Sequence, residues 1–226
     1  DGFNIPYDAE QIHGISTELA ERDGISLDEG LQLFNEVLNK TKFVVGQNVE
    51  FDLNIMGCEF HRLDTESKLN KLPVLDTCTE KTVLMCQIPG GRGGKFKLPT
   101  LTELHTHLFG VAFGEAHNAA ADVEATTRCF LELIRLREFT KEQLDVDESY
   151  FQNFSEKNPK PIQFIGLDHI NLKKESKKIR KRLEKLESSK KEAVSNQTLT
   201  DLADIQFAHL HNHTQFSVLQ STTQIA

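Results

Sequence analysis

The chain has 226 residues and a formal charge of −8, a length that holds one or two domains. No apolar run approaches the eighteen or so residues that span a bilayer, and the polar, acidic first ten residues do not resemble a signal peptide. Ten Lys and Arg against four Asp and Glu between Lys173 and Glu192 give that stretch +6 and leave −14 to the rest, which excludes a uniformly basic nucleic-acid surface but suits cation collection by carboxylates.

In chain order, Leu31, Leu33, Phe34 and Leu38 recur at helical spacing. Lys42-Phe43-Val44-Val45-Gly46 predicts a short strand, and Asn48 a cap for a helix through Phe51, Ile55 and Met56. A second strand is expected at Pro73-Val74-Leu75-Asp76, followed by an apolar stretch from Val83 to Ile88. The Pro89 to Gly94 segment reads as a mobile loop, without the Lys-Ser/Thr of a phosphate-binding loop. Thr100 or Thr102 starts a helix through Leu104 and Leu108. On it His105 and His107 face apart, which rejects them as a metal pair. The last long helix is expected over about 119–137, with Val123, Phe130, Leu133 and Ile134 as its core. Beyond Thr140, polar residues lead through Asn158-Pro159-Lys160-Pro161 into the charged run, where Leu172, Ile179, Leu183 and Leu186 predict a linker helix. Cys58, Cys78, Cys86 and Cys129 lack CxxC spacing and are expected to be buried reduced thiols.

Three segments carry the chemistry. In Gly46-Gln47-Asn48-Val49-Glu50-Phe51-Asp52, the last carboxylate falls in the first turns of a helix, at the C-terminal edge of a strand. Open α/β sheets place ligands there, although the helix dipole alone also favours an Asp. Leu75-Asp76-Thr77 closes the second strand. In His117-Asn118-Ala119-Ala120-Ala121-Asp122, the outer pair would stand about 140° apart on one helix. They converge if His117 precedes the helix, Asn118 caps it and Asp122 lies in its first turns. The three alanines leave room for a substrate backbone.

Together these segments resemble the motifs of the DEDDh (epsilon-type) 3′–5′ proofreading exonucleases. The resemblance implies a ribonuclease H-like α/β fold, two divalent cations (Mg²⁺ or Mn²⁺) held by four carboxylates, and a histidine general base. It assigns Asp52 and Asp122 as catalytic metal ligands and His117 as the base, in keeping with two-metal phosphodiester hydrolysis and with imidazole titrating near neutrality. Ile12-His13-Gly14-Ile15 also matches, which implies that His13 holds the 3′ end. Phe51 is a candidate to stack on a base, with core packing as the alternative. The family's opening Asp-x-Glu strand has no counterpart: Asp8 and Glu10 have the spacing, but Pro6, Tyr7, Ala9 and Gln11 around them do not read as a buried strand. That strand is expected ahead of Asp1. Incomplete burial and little or no nuclease activity are then expected of this chain alone.

Phe207-Ala208-His209-Leu210-His211-Asn212-His213-Thr214-Gln215-Phe216-Ser217 resembles the opening of a polymerase-and-histidinol-phosphatase (PHP) domain. On a strand, His211 and His213 share a face and can chelate one metal, a site completed only in the full-length protein. An exonuclease followed by a PHP domain is similar to a bacterial replicative DNA polymerase III alpha subunit. The expected architecture is α/β: a partial exonuclease domain over 1–138, a linker with a charged helix over 139–206, and the first PHP strand over 207–226. The expected protein is a cytoplasmic fragment, truncated at both ends, of a replicative polymerase with intrinsic proofreading. Its partner is a single-stranded DNA 3′ end, with the sliding clamp and other replisome subunits joining the full-length protein and no membrane. Two alternatives stay open, an exonuclease of DNA repair or RNA trimming and a noncatalytic exonuclease-like scaffold.

Overall fold

Short polar residues set where the helices begin. Ser16 and Ser26 accept hydrogen bonds from Leu19 N and Glu29 N, which starts α2 (Thr17–Asp23) and α3 (Leu27–Leu38) after the short α1 (Tyr7–His13). The computed structural model describes residues 4–114, 116, 118–168 and 170–201, with side chains as far as 189. Strand β1 (Val44–Gly46) leads into α4 (Glu50–Arg62), and β2 (Val74–Asp76) into α5 (Glu80–Cys86). Thr100 and Glu103 form a reciprocal capping box for α6 (Leu101–Phe109), and Asn118 caps the long α7 (Ala119–Arg135). Two short helices follow, α8 (Lys141–Leu144) and α9 (Glu148–Lys157), and then α10 (Leu172–Asp201). Two units are distinguished, Asp1–Ile179 and Arg180–Ala226. The second is described to residue 201 and is helical there.

β1 and β2 pair in parallel, with Val44 opposite Val74 and Gly46 opposite Asp76. Val44 N donates to Pro73 O and Gly46 O accepts from Thr77 N. Because neighbouring residues of a strand direct their peptide groups to opposite sides, the N–H and C=O of Val45 point away from β2. An α/β arrangement is therefore present, mostly helical around a small parallel sheet.

The larger core joins Leu75 of β2 to Leu104 of α6 and to Cys129, Phe130, Leu133 and Ile134 of α7. Phe139, Leu144 and Phe151 close it from the segment that the sequence reading gave to the linker. A smaller core gathers Leu31 and Leu38 of α3, Phe60 of α4, and Leu69. Val123, expected in the core, is instead exposed, because the buried side of α7 runs through Ala121, Ala125 and Cys129. Of the four cysteines Cys129 is buried, with its thiol pushed up to about 12, mainly by burial. Cys78 and Cys86 are half-buried and Cys58 is exposed, which corrects the expectation that all four are enclosed.

Three charged residues at helical spacing on α7 are also buried, and each has a partner. Glu132 Oε2 accepts from Ile162 N (2.9 Å), Arg128 Nε donates to Ile162 O (2.8 Å), and Glu124 Oε1 accepts from Gly166 N (2.7 Å). They tie an irregular strap, 162–166, along the helix. The Arg128 guanidinium lies between the rings of Phe109 and Phe164, 3.7 and 4.1 Å from their centroids. It also meets Nε2 of His105 at 3.0 Å, while Nδ1 of His105 lies 2.8 Å from Val111 O. A carbonyl only accepts, so Nδ1 carries the proton and Nε2 takes the bond from arginine. His105 is buried and His107 exposed, so the two face apart as their spacing predicts. The loop at Pro89–Gly94 is pinned by an antiparallel bridge between Pro89 and Phe96. Among the described residues no helix is long and apolar enough to cross a membrane.

Candidate active-site cleft

Asp52 and Asp122 line one cleft of about 850 Å³. The cleft opens at the C-terminal end of β1, between the starts of α4 and α7, with residues 98–102 as a further wall. Asp52 is the third residue of α4, and Asp122 the fourth of α7. Both carboxylates thus occupy first turns, the part of a helix where acidic residues are favoured. The rest of the lining is largely apolar, including Val44, Leu53, Met56 and Leu69.

The turn that delivers Asp52 is built differently from the sequence expectation. Asn48 does not cap α4. It sits in the left-handed region (φ 55°), and Val49 holds the cap position without a side-chain acceptor. Asn tolerates this backbone because its short side chain is lightly penalised there. The acceptor comes instead from Asp76, at the end of β2: Oδ1 takes Asn48 N at 2.8 Å and Oδ2 takes Val49 N at 3.0 Å. Gly46 is required as well, since a Cβ there would lie 2.5 Å from Val49 Cγ2. Thr77, fully buried, donates through Oγ1 to Gly46 O (3.0 Å) and to Gln47 Oε1, and Gln47 Nε2 donates to Pro99 O (2.8 Å). Those roles of Asp76, Thr77 and Gln47 escaped the sequence reading. The available signal was an Asp-Thr pair placed where the second parallel strand ends, beside the turn after the first.

At the other wall, Asn118 Oδ1 accepts from Ala120 N (3.1 Å), which caps α7 as its sequence predicts. Its Nδ2 donates to Ile170 O (2.8 Å). Asn118 is thereby held on both sides, and Asp122, one turn on, is half-buried. His117, the expected base, lies outside the described residues, as do His211, His213 and the whole segment 202–226.

The two expected substrate contacts are not in the cleft. Phe51 is 67% exposed and faces away from the lining, because it precedes Asp52 by one helical step of about 100°. It does not pack in the core either. His13 lines a separate pocket of about 90 Å³ with Asn118 and Lys173. Its Nδ1 accepts from Ile15 N (3.0 Å), so a neutral ring presents Nε2–H. Ala116 borders both this pocket and the cleft.

Oxygen donors such as Asp52 and Asp122 suit a hard cation. Among the described residues no group of three His, Cys, Asp or Glu is gathered as for a metal ion. Cys78 also borders the cleft, but burial, helped by the charge of Asp76, pushes its thiol up to about 11. It is therefore protonated at neutral pH. In comparisons with known proteins, no family model matches this chain and no curated protein matches it.

Proposed function

We propose that this cleft is the metal-dependent site of a 3′–5′ proofreading exonuclease domain, carried by a bacterial replicative polymerase of the polymerase III alpha type. One observation carries the reading: Asp52 and Asp122, seventy residues apart and each in a segment resembling an exonuclease motif, line the same cleft at the carboxyl edge of a parallel sheet. Both carboxylates would hold Mg²⁺ or Mn²⁺, which supplies Lewis-acid polarisation of the phosphodiester and of the attacking water. His117 would take the proton from that water. Ala119 on the cleft wall keeps side-chain bulk away from a single strand entering with its 3′ end first.

Two carboxylates fall short of the four that the resemblance calls for. The chain by itself is therefore expected to cleave slowly or not at all. Val45, with its peptide group directed away from β2, offers an edge where a further strand can pair. His211 and His213 would serve the PHP metal, and the sliding clamp and other replisome subunits would meet the full-length polymerase in the cytoplasm. The test uses the full-length gene product, Mg²⁺ and a 5′-labelled single strand. Progressive shortening from the 3′ end is expected, and Asp52→Ala should abolish it. An intact strand, or undiminished shortening by the variant, would overturn the proposal.

A further inference from the structure

Asp76, like Glu50, is an acid in the quoted motifs to which the proposed chemistry gives no task. Its carboxylate accepts three backbone hydrogen bonds, from Asn48 N (2.8 Å) and Cys78 N (2.7 Å) at Oδ1 and from Val49 N (3.0 Å) at Oδ2. Such charge-assisted bonds are short and strong. With its oxygens engaged, Asp76 is not among the residues that line the cleft. It therefore differs from Asp52 and Asp122 in kind.

What it holds is the entry to α4. That helix has no cap of its own, and Asn48 before it is left-handed. Two free N–H groups at the entry take their acceptor from a strand that lies nearly thirty residues further on. Val49 is buried and its side chain fills the space that a Cβ on Gly46 would need. The turn is thus packed on one side by Gly46 and fastened on the other by Asp76. Asp52 follows Val49 by three residues in the same rigid turn.

We infer that Asp76 is a positioning residue that fixes the first turn of α4, and through it the place of the Asp52 carboxylate in the cleft. The geometric part stands alone; the catalytic part rests on the exonuclease reading. Asp76→Asn is the mild test, because the amide keeps one oxygen but turns an N–H donor toward another N–H donor. In the chain described here, amide hydrogen exchange at Val49 and Leu53 should quicken about tenfold, as on loss of a helix cap, with the α7 amides unchanged. Unchanged exchange at Val49 and Leu53 would overturn the positioning role. Asp76→Ala should act in the same direction and more strongly.

In the full-length product, the Mg²⁺ concentration for half-maximal shortening should rise about tenfold in Asp76→Asn, as when a metal ligand loses its support, while KM for the strand stays within about twofold. A variant with lower activity but an unmoved Mg²⁺ midpoint would reduce Asp76 to a stabilising residue and overturn the catalytic part. Should the unmutated product not cleave at all, the exonuclease reading fails, and the exchange measurement alone decides whether Asp76 positions α4.

Discussion

The two helices that wall the cleft treat their charged residues in opposite ways. On the buried side of α7, Glu124, Arg128 and Glu132 are enclosed, and each is consumed by a backbone or ring partner in the strap. On α4 the acids of the first turn, Glu50 and Asp52, are exposed, and the apolar residues Phe51 and Ile55 stand exposed beside them. A buried charge must be paired to be tolerated, so the α7 set is structural. The Asp52 carboxylate, at an open cleft, instead meets solvent. The contrast teaches that burial, more than residue type, separates the charged groups that hold this molecule together from those left open at its surface.

The contrast breaks most visibly in activity. On the proposed exonuclease reading, Asp52→Ala and Asp122→Ala in the full-length product should each lower strand shortening at least about a hundredfold, because each would remove a metal ligand. If one variant stayed active in a gel-based shortening assay, its carboxylate would belong with the structural set. The next largest effect falls on the closed side. Leu104, fully buried between α6 and α7, should cost about 2–5 kcal/mol as Leu104→Ala in urea unfolding. A smaller cost would mean that this core is looser than the α7 packing implies.

His105 gives the closed side a pH dependence. Burial is the main cause that holds its pKa below the ordinary value; Arg128 adds to this and the bond to Val111 O opposes it. The unfolded chain takes up a proton near pH 6.5 that the folded chain refuses. Stability from this group is therefore present above about pH 6.5 and is lost as pH falls toward the lower folded pKa. Denaturant midpoints measured from pH 7.5 to 5 should decline, and His105→Gln should flatten the decline. The smallest effect belongs to the open side, where Ile55→Ser should shift stability by no more than about 0.5 kcal/mol, as for a surface change. A large loss would show that the outer face of α4 is covered.

Much of the fold was legible because it is written locally. Thr100 and Asn118 announce α6 and α7, the spacing of Leu31, Leu33, Phe34 and Leu38 announces α3, and the β-branched pair before Gly46 announces β1. Asp52 and Asp122 were legible as candidates from motif spacing. What was hidden is long-range. Nothing near Asn48 tells that Asp76 will cap its helix, and the polar look of 139–170 conceals Phe139, Leu144, Phe151 and Ile162, which pack from it. Nothing near Glu124, Arg128 and Glu132 tells that a strap from 162–166 will cover them. The motif string fixes the spacing of Phe51 but not its helical phase, so its exposure outside the cleft lining and the core was not legible.

The central claim is that Asp52 and Asp122 act on one cation. Titration of this chain with Mn²⁺, followed by the electron paramagnetic resonance of the free ion, tests it without requiring turnover. Weak binding that Asp52→Asn and Asp122→Asn each diminish, and that Asp28→Asn on the exposed side of α3 leaves unchanged, is the expected result. Binding indifferent to either cleft substitution, or no binding at all, would contradict it.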